Sequence, residues 1–446
     1  MTKGVTDRPL LRILQTLAQK KPSAVQDSSS LVNKRFLSDT HGRIRHILVS
    51  SFFSSSPAAI RFYKGKENLM KLFLSHDYRR IKSLVENTDP DVRVTVIHQG
   101  GYLLNEANPN LSQLRQKFGG RVNIESTDFQ PMLWVQDRLQ VFEGRTVLIR
   151  ASDPATDEHF REEGLPAFRF GVEHLPVLGF ECLMSPSGTF NIMREADLYT
   201  SDEFVFLGPK TVMDTYQIRK SGRNFVRGEK LCVEIAGPVR ENVDSFARTG
   251  QLWGELKRHA ESLAHDLKLL SGGKEVVVPF SPGSPAYKGD LDMVMTPLGG
   301  KLVSVANTSL AEGVAKRLSS EGFDFVKPGT GEDSLRDYRF EQEELESVAR
   351  ALSQRGLTVV RVPLLNRMER NGEVIPWCSY NNVLVEIFGN KKRVYMPVYG
   401  IDDLDEAAAQ VYAGLGFEVR KIKGLSEAAK HLGALRCSIK ILERSR

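Results

Sequence analysis

The chain has 446 residues, 41% hydrophobic and 26% charged, which suits a soluble globular protein with a large core. No apolar run approaches the roughly 20 residues needed to span a bilayer, and the start, Met1-Thr-Lys-Gly-Val-Thr-Asp-Arg-Pro9, lacks the apolar stretch of a secretory signal. The net charge of +6 lies in residues 1–45, with nine Lys/Arg against three Asp, so the remainder is balanced. A basic arm of this kind can bind nucleic acid or an anionic membrane. It has few aromatics to stack bases, and a solvated arm with one short helix at Leu10–Leu17 is the simpler reading.

Residues 21–30 (KPSAVQDSSS) are polar and turn-rich, as in a linker. Ordered structure is expected from the β-branched run that starts at Arg45. Strands are then predicted at Val92–His98, Arg121–Glu125, Thr146–Arg150, Phe204–Gly208, Glu275–Phe280, Lys301–Ala306, Thr358–Val362, Asn382–Phe388, Arg393–Pro397, Phe417–Ile422 and Arg436–Leu442. Helical periodicity lies between several of them, at Leu252–Leu270, Leu310–Glu321, Glu341–Arg355, Asp403–Leu415 and Ser426–Leu432. Gly356, Gly416 and Gly433 stop three of these helices. A unit recurs: strand 301–306, helix 310–321 and Gly322-Phe-Asp-Phe match strand 394–397, helix 403–415 and Gly416-Phe-Glu-Val. The recurrence points to repeated α/β modules around one centre rather than a doubly wound sheet. Neither a dinucleotide fingerprint nor a P-loop is present. The four cysteines, Cys182, Cys232, Cys378 and Cys437, show no metal spacing and no disulfide framework, which fits reduced thiols in a cytoplasm.

Three segments carry chemistry. Asp137, in Trp134-Val-Gln-Asp137, can offer its carboxylate to the planar fork of a guanidinium, or pair with Arg138 or cap a loop. Asp290 and Asp292 sit two apart in a stretch read as extended, where both side chains would share one side. Two like charges before the apolar run Met293–Pro297 call for a compensating cation, such as a cationic substrate, unless they are merely solvated or capping. Cys437 opens the last predicted strand and can be a nucleophile or a buried core thiol, with Arg436 expected on the opposite face.

Together these segments resemble the guanidino-group-modifying superfamily, and most closely the bacterial relatives of the protein-arginine deiminases. Those proteins have Trp-x-Gln-Asp near Asp137, His-x-Asp-x-x-x-x-Pro near Asp290–Pro297 and a terminal Gly-x-x-Cys near Cys437. Ser379-Tyr-Asn-Asn-Val-Leu-Val-Glu386, Lys392–Gly400 and Gly414-Leu-Gly-Phe-Glu-Val419 are similar too. The resemblance covers Arg45 to the C-terminus. It implies an α/β fold, the α/β propeller (pentein) of five pseudo-symmetric αββαβ modules, at residues 45–446, with 1–44 a partly flexible basic arm outside it.

The resemblance further implies a hydrolase of the arginine deiminase type, acting on free or peptidyl arginine-like groups without metal or cofactor. Asp137 and Asp292 would grip the guanidinium, with Asn191 as a further substrate contact. The Cys437 thiolate would attack the guanidinium carbon, giving a thiouronium intermediate. Partners would be an arginine-like small molecule or an arginyl peptide; a homodimer is admitted, and nucleic acid ranks last. Two departures stand out. Asp290 occupies the place of the family's general acid, a histidine. The family's Gly-Gly-Asn/Asp segment corresponds to Thr189-Phe190-Asn191. With a reference pKa near 3.9, a carboxyl reaches its acid form at pH 7 at a cost of roughly 4 kcal/mol. His431 and His174 are the alternative histidines. A catalytically inactive protein that binds guanidinium ligands or protein partners is therefore the second reading, and nucleic-acid or membrane binding through the arm the third.

Overall fold

The computed structural model describes residues 35–51, 67–99, 109–127, 139–149, 179, 181–184, 198–209, 211–212, 258–265, 267–268, 271–279, 290–326, 339–430 and 433–445. Its first strands are β1 Arg43–Ser50, β2 Arg93–Gln99 and β3 Val122–Thr127, with helices α1 Glu67–Asn87 and α2 Pro109–Phe118 as the crossovers between them. The next are β4 Leu139–Phe142, β5 Thr146–Ile149 and β6 Glu181–Met184, then β7 Leu198–Thr200, β8 Phe204–Leu207 and β9 Glu275–Val277. A one-turn helix, α3 Leu291–Val294, leads into β10 Met295–Pro297 and β11 Leu302–Asn307. Helix α4 Glu312–Ser320, β12 Asp324–Phe325, helix α5 Gln342–Gln354 and β13 Thr358–Leu365 follow. Short strands β14 Met368–Arg370, β15 Glu373–Ile375 and β16 Cys378–Ser379 precede β17 Leu384–Phe388 and β18 Lys391–Pro397. The chain closes with helix α6 Asp402–Gly414, β19 Glu418–Ile422, helix α7 Ser426–Ala429 and β20 Ile439–Ser445.

One pairing pattern recurs five times among the described residues. A strand pairs antiparallel with a second, which pairs parallel with a third: β4-β5-β6, β7-β8-β9, β10-β11-β13, β17-β18-β19 and β20-β1-β2. The antiparallel step needs only a tight turn, whereas the parallel step needs a crossover long enough to return along the sheet. Helix α6 makes that crossover from β18 to β19, and Gly416 ends it at φ 82°, a left-handed position that suits glycine. The corresponding helix between β11 and β13 is α5, ended by Gly356 at φ 76°. This corrects the sequence repeat. The run after α4 and Gly322 is β12, which pairs with β14 and not with β11. Helix–Gly–Phe is a local capping signal and does not choose a strand's partner.

The parallel strands β2 and β18 are buried from both sides and read as apolar runs; Val94, Val96, Val394 and Met396 are fully covered. Helix α1, absent from the predicted elements because charges interrupt its apolar stripe, packs Ile81, Leu84 and Val85 on this core. It also buries an Asp77–Arg80 pair at 2.7 Å, completed by Ser51 Oγ donating to Asp77 at 2.5 Å. None of the described helices is long and apolar enough to cross a membrane.

Among the described strands, the last pairs with the first. Part of the expected arm is packed against β4 and β17. Phe36 is buried and stacks on Phe142 with ring centroids 5.0 Å apart, and His41 bridges to Ile387. Covering a phenyl ring in this way is worth about 2–3 kcal/mol. Residues 35–44 thus join the folded body, and the packed part begins before residue 44. Glu386, fully buried on β17, ties β1 and β18 to it by accepting from the Ile44 amide at 2.7 Å and from Arg393 at 2.8 Å.

Burial within β1 makes stability depend on pH. His46 is 2% exposed and its Nε2 lies 2.8 Å from Thr95 Oγ1. Burial first, then Arg93 and Arg145, push it from its ordinary value near 6.5 down to about 3. The folded state therefore holds fewer protons than the unfolded chain between those values. Stability from this group is whole above pH 6.5 and falls by up to about 1.4 kcal/mol per unit as pH drops toward 3. His46→Gln is expected to flatten that acid slope, as read by urea unfolding at pH 4, 5 and 7; an unchanged slope would exclude His46 as its source.

Candidate active site

Two of the predicted residues meet. Cys437 Sγ donates to Asp292 Oδ2 at 3.1 Å, and both side chains are buried. Asp137 and Asn191 lie outside the described residues, as do His174 and His431. Asp290 is half-buried and stands at the N-cap of α3 with extended backbone (ψ 150°).

The local structure of both segments differs from the expected strands. Residues 290–294 form a helical turn closed by Met293 N–H donating to the Asp290 carbonyl at 3.1 Å. This backbone bond sets a helical turn where the Met-Val-Met run favours extended backbone. The shared face expected from strand alternation does not hold, because each helical residue turns about 100°. Asp292 alone is fully buried. Cys437 sits in a turn over residues 435–438, and β20 begins two residues later at Ile439.

Arg436 is the larger correction. Its side chain does not point away from the site: Nη1 donates to the same Asp292 Oδ2 at 3.3 Å. Nη2 donates to Asp39 Oδ1 at 3.3 Å and to the Leu198 carbonyl at 3.0 Å. The guanidinium carbon lies 3.8 Å from the Tyr199 ring centroid, a cation–π contact. In a turn, successive side chains need not alternate, which removes the strand argument for opposite faces. Burial disfavours the Arg436 charge, and Tyr199, Asp39, Asp292 and Cys437 together outweigh that and hold the group above its ordinary range. Burial likewise keeps the Tyr199 phenol protonated, well above its usual range, although Arg436 opposes this. Tyr199 is anchored by its hydroxyl, 3.1 Å from Thr296 Oγ1 on β10.

Sequence reasoning assigned no role to Asn382. Its Nδ2 donates to Cys437 Sγ at 3.0 Å, and its Oδ1 accepts from the Arg436 and Cys437 amides at 2.7 and 3.3 Å. The loop that carries it also holds the Asp292 turn. Ser379 Oγ donates to the Met293 carbonyl at 2.6 Å, and Asn381 Nδ2 to the Val294 carbonyl at 3.1 Å. Two adjacent asparagines before an apolar strand were the available signal, since fully buried amides require dedicated partners. Asp39 and Tyr199 carried no such signal. Among the described residues, no cluster of His, Cys, Asp and Glu could hold a metal ion.

The arrangement places a thiol and a guanidinium on one carboxylate oxygen. Asp292 is thus able to hold a guanidinium next to a thiol, and in this conformation the guanidinium is the chain's own.

No family model matches the sequence, and neither does any curated protein. Solved structures do match in fold. Agmatine deiminase from C. jejuni superposes with a TM-score of 0.55 at 10% identity, covering 93% of this chain and 97% of that one. A variant of the same enzyme with substrate bound gives 0.55 at 11% identity over the same shares. Agmatine deiminase of Enterococcus faecalis gives 0.50 at 9% identity, over 94% and 98%. The resemblance read from the motifs is thereby upheld at the level of fold: the chain is a mixed α/β protein with a fold like that of agmatine deiminases.

Proposed function

We propose that this chain is a deiminase-like hydrolase of guanidinium groups, built as a five-module α/β propeller over the body expected at residues 45–446, with residues 35–44 packed onto it. The carrying observation is Asp292 Oδ2, which meets both the Cys437 thiol at 3.1 Å and a guanidinium at 3.3 Å. The five recurring ladders support the propeller, and fold likeness to agmatine deiminases supports the substrate class. In this reading Asp292 and Asp137 grip an arginine-like substrate, free or peptidyl. The Cys437 thiolate adds to the guanidinium carbon, the C–N bond to the terminal nitrogen breaks, and ammonia leaves with a proton supplied by a general acid. Water then adds to the thiouronium carbon and the C–S bond breaks, which leaves a ureido product and returns the thiol. By the motif correspondence, Asp290 would take the place of that acid.

One observation favours a second reading, a guanidinium-binding protein without turnover. Arg436 already occupies Asp292, and both Asp292 and Cys437 are closed from solvent. The decisive measurement is incubation with arginine, agmatine and arginyl peptides, scored for ureido product and ammonia. Product that disappears in Cys437→Ala is expected from the enzyme. Binding of these compounds without product, abolished in Asp292→Ala, would instead establish the second reading.

A further inference from the structure

Asp39 reaches the site from the segment ahead of β1, and its amide, its carbonyl and both carboxylate oxygens all have partners. The amide donates to the Thr200 carbonyl at 2.6 Å, and Oδ2 accepts from the Thr200 amide at 2.8 Å. That clasp lies one residue beyond Tyr199, whose ring lies against Arg436. The Asp39 carbonyl accepts from Arg444 Nη2 at 2.8 Å. On either side of it the segment is tied by Leu37 N–H to the Val141 carbonyl at 2.9 Å and by Gly42 N–H to the Ile387 carbonyl at 2.8 Å. The remaining oxygen, Oδ1, is thus held in place where it accepts from Arg436 Nη2 at 3.3 Å. Nη1 of the same guanidinium donates to Asp292 at 3.3 Å, so two carboxylates divide one cation. A guanidinium without a second anchor can turn two parallel N–H groups onto a single carboxylate, which is the stronger arrangement.

We propose that Asp39 is a positioning residue of the guanidinium site: by holding Nη2 it keeps Arg436 from closing fully on Asp292, so that Asp292 can exchange its resident guanidinium for that of a substrate. The assignment rests on Asp292 being the substrate-gripping carboxylate of the function proposed above. Asp39 need not touch substrate; it acts through Arg436. The segment ahead of β1 is then part of the working site, and the charge it brings there is a carboxylate set against the far end of a buried arginine.

Asp39→Asn reverses the contact with almost no change of shape. The Thr200 amide can only donate, so the Asn oxygen must face it, and the NH₂ end then meets Arg436 Nη2, donor against donor. Arg436 is expected to shift onto Asp292. In a Cys437→Ala background, where nothing turns over, calorimetry should show agmatine and arginine binding about tenfold more weakly once Asp39→Asn is added, the scale of one hydrogen bond to a charged group. A role confined to bracing the segment would weaken binding whether or not Arg436 is present. Acting through Arg436, Asp39→Asn should change affinity by no more than about twofold when Arg436→Ala is also present. Selective ¹⁵N-arginine labelling reads Arg436 itself, through the side-chain signal that Arg436→Ala removes. With Asp39 intact that signal should move when agmatine saturates the Cys437→Ala protein, which keeps the assignment testable should Asp39→Asn fail to fold. A comparable loss of affinity without Arg436, no loss in its presence, or an Arg436 signal indifferent to bound agmatine would overturn the assignment. Failure of the deiminase reading looks different: no guanidinium compound binds with or without Asp39. The anchor on Arg436 then stands if its signal moves on Asp39→Asn, and falls if it does not.

Discussion

Arg436→Ala is expected to lower the unfolding free energy by about 3–5 kcal/mol, the range seen when one partner of a buried ion pair is removed. Low-millimolar guanidinium ion should restore a measurable part of it. The variant leaves Asp292 and Asp39, which held the lost guanidinium from two sides at 3.3 Å each, facing a space of that shape beside the Tyr199 ring. A small ligand that binds only the folded form stabilises it by RT ln(1 + [L]/Kd), about 1.4 kcal/mol at ten times Kd. Thermal unfolding with guanidinium chloride against equal sodium chloride, both well below denaturing concentration, separates filling of the site from ionic strength. Wild type should gain nothing, because Arg436 occupies the site. If neither guanidinium nor agmatine raises the midpoint of the variant above the sodium control, Asp292 does not recognise the group, and the proposed function loses its carrying observation. A gain in deiminase turnover in Arg436→Ala would mean that the resident guanidinium competes with substrate; a loss would mean that it positions Asp292.

Asp290→His carries the second large effect, on rate rather than stability. A carboxyl with an ordinary pKa near 3.9 reaches its acid form at pH 7 at a cost of roughly 4 kcal/mol, about a thousandfold in rate if nothing compensates. An imidazole meets that requirement near neutrality. Asp290→His is therefore expected to raise turnover of an arginine compound by up to about a thousandfold, with the optimum moving toward pH 7; Cys437→Ala in the same background should abolish it. The substitution is sterically reasonable, since Asp290 is half-buried at the start of α3. Its helix turn is closed by the backbone carbonyl, which any residue supplies. Steady-state kinetics against pH settle the matter. A fast wild type that Asp290→His slows would make Asp290 an adapted acid, and the thousandfold argument would fail.

Much of the fold could be read in the chain because strands and helices announce themselves locally. The β-branched runs at β2 and β13, the apolar run at β18 and the glycines that end α5 and α6 are set by neighbours within a few residues, through side-chain period and the left-handed backbone that glycine accepts. Cys437 and Asp292 could be named from residue type and motif alone. Tertiary structure decided what those residues face. Strand β12 carries the same helix–Gly–Phe signal as β19 yet pairs elsewhere, because partner choice depends on which sheet edge is open. The one-turn helix at Asp292 replaced the extended stretch expected there, and the turn at Cys437 put the start of β20 at Ile439, which removed the alternation that had sent Arg436 outward. Asp292, Asn382 and Asp39 lie 144, 54 and 397 residues from Arg436 in sequence. Periodicity holds no information at such separations. Packing of β20 against β1 and of the 379–382 loop behind α3 brings the three together, so residue types set the chemistry available and long-range packing set which carboxylate and amide share one sulfur and which guanidinium that carboxylate holds.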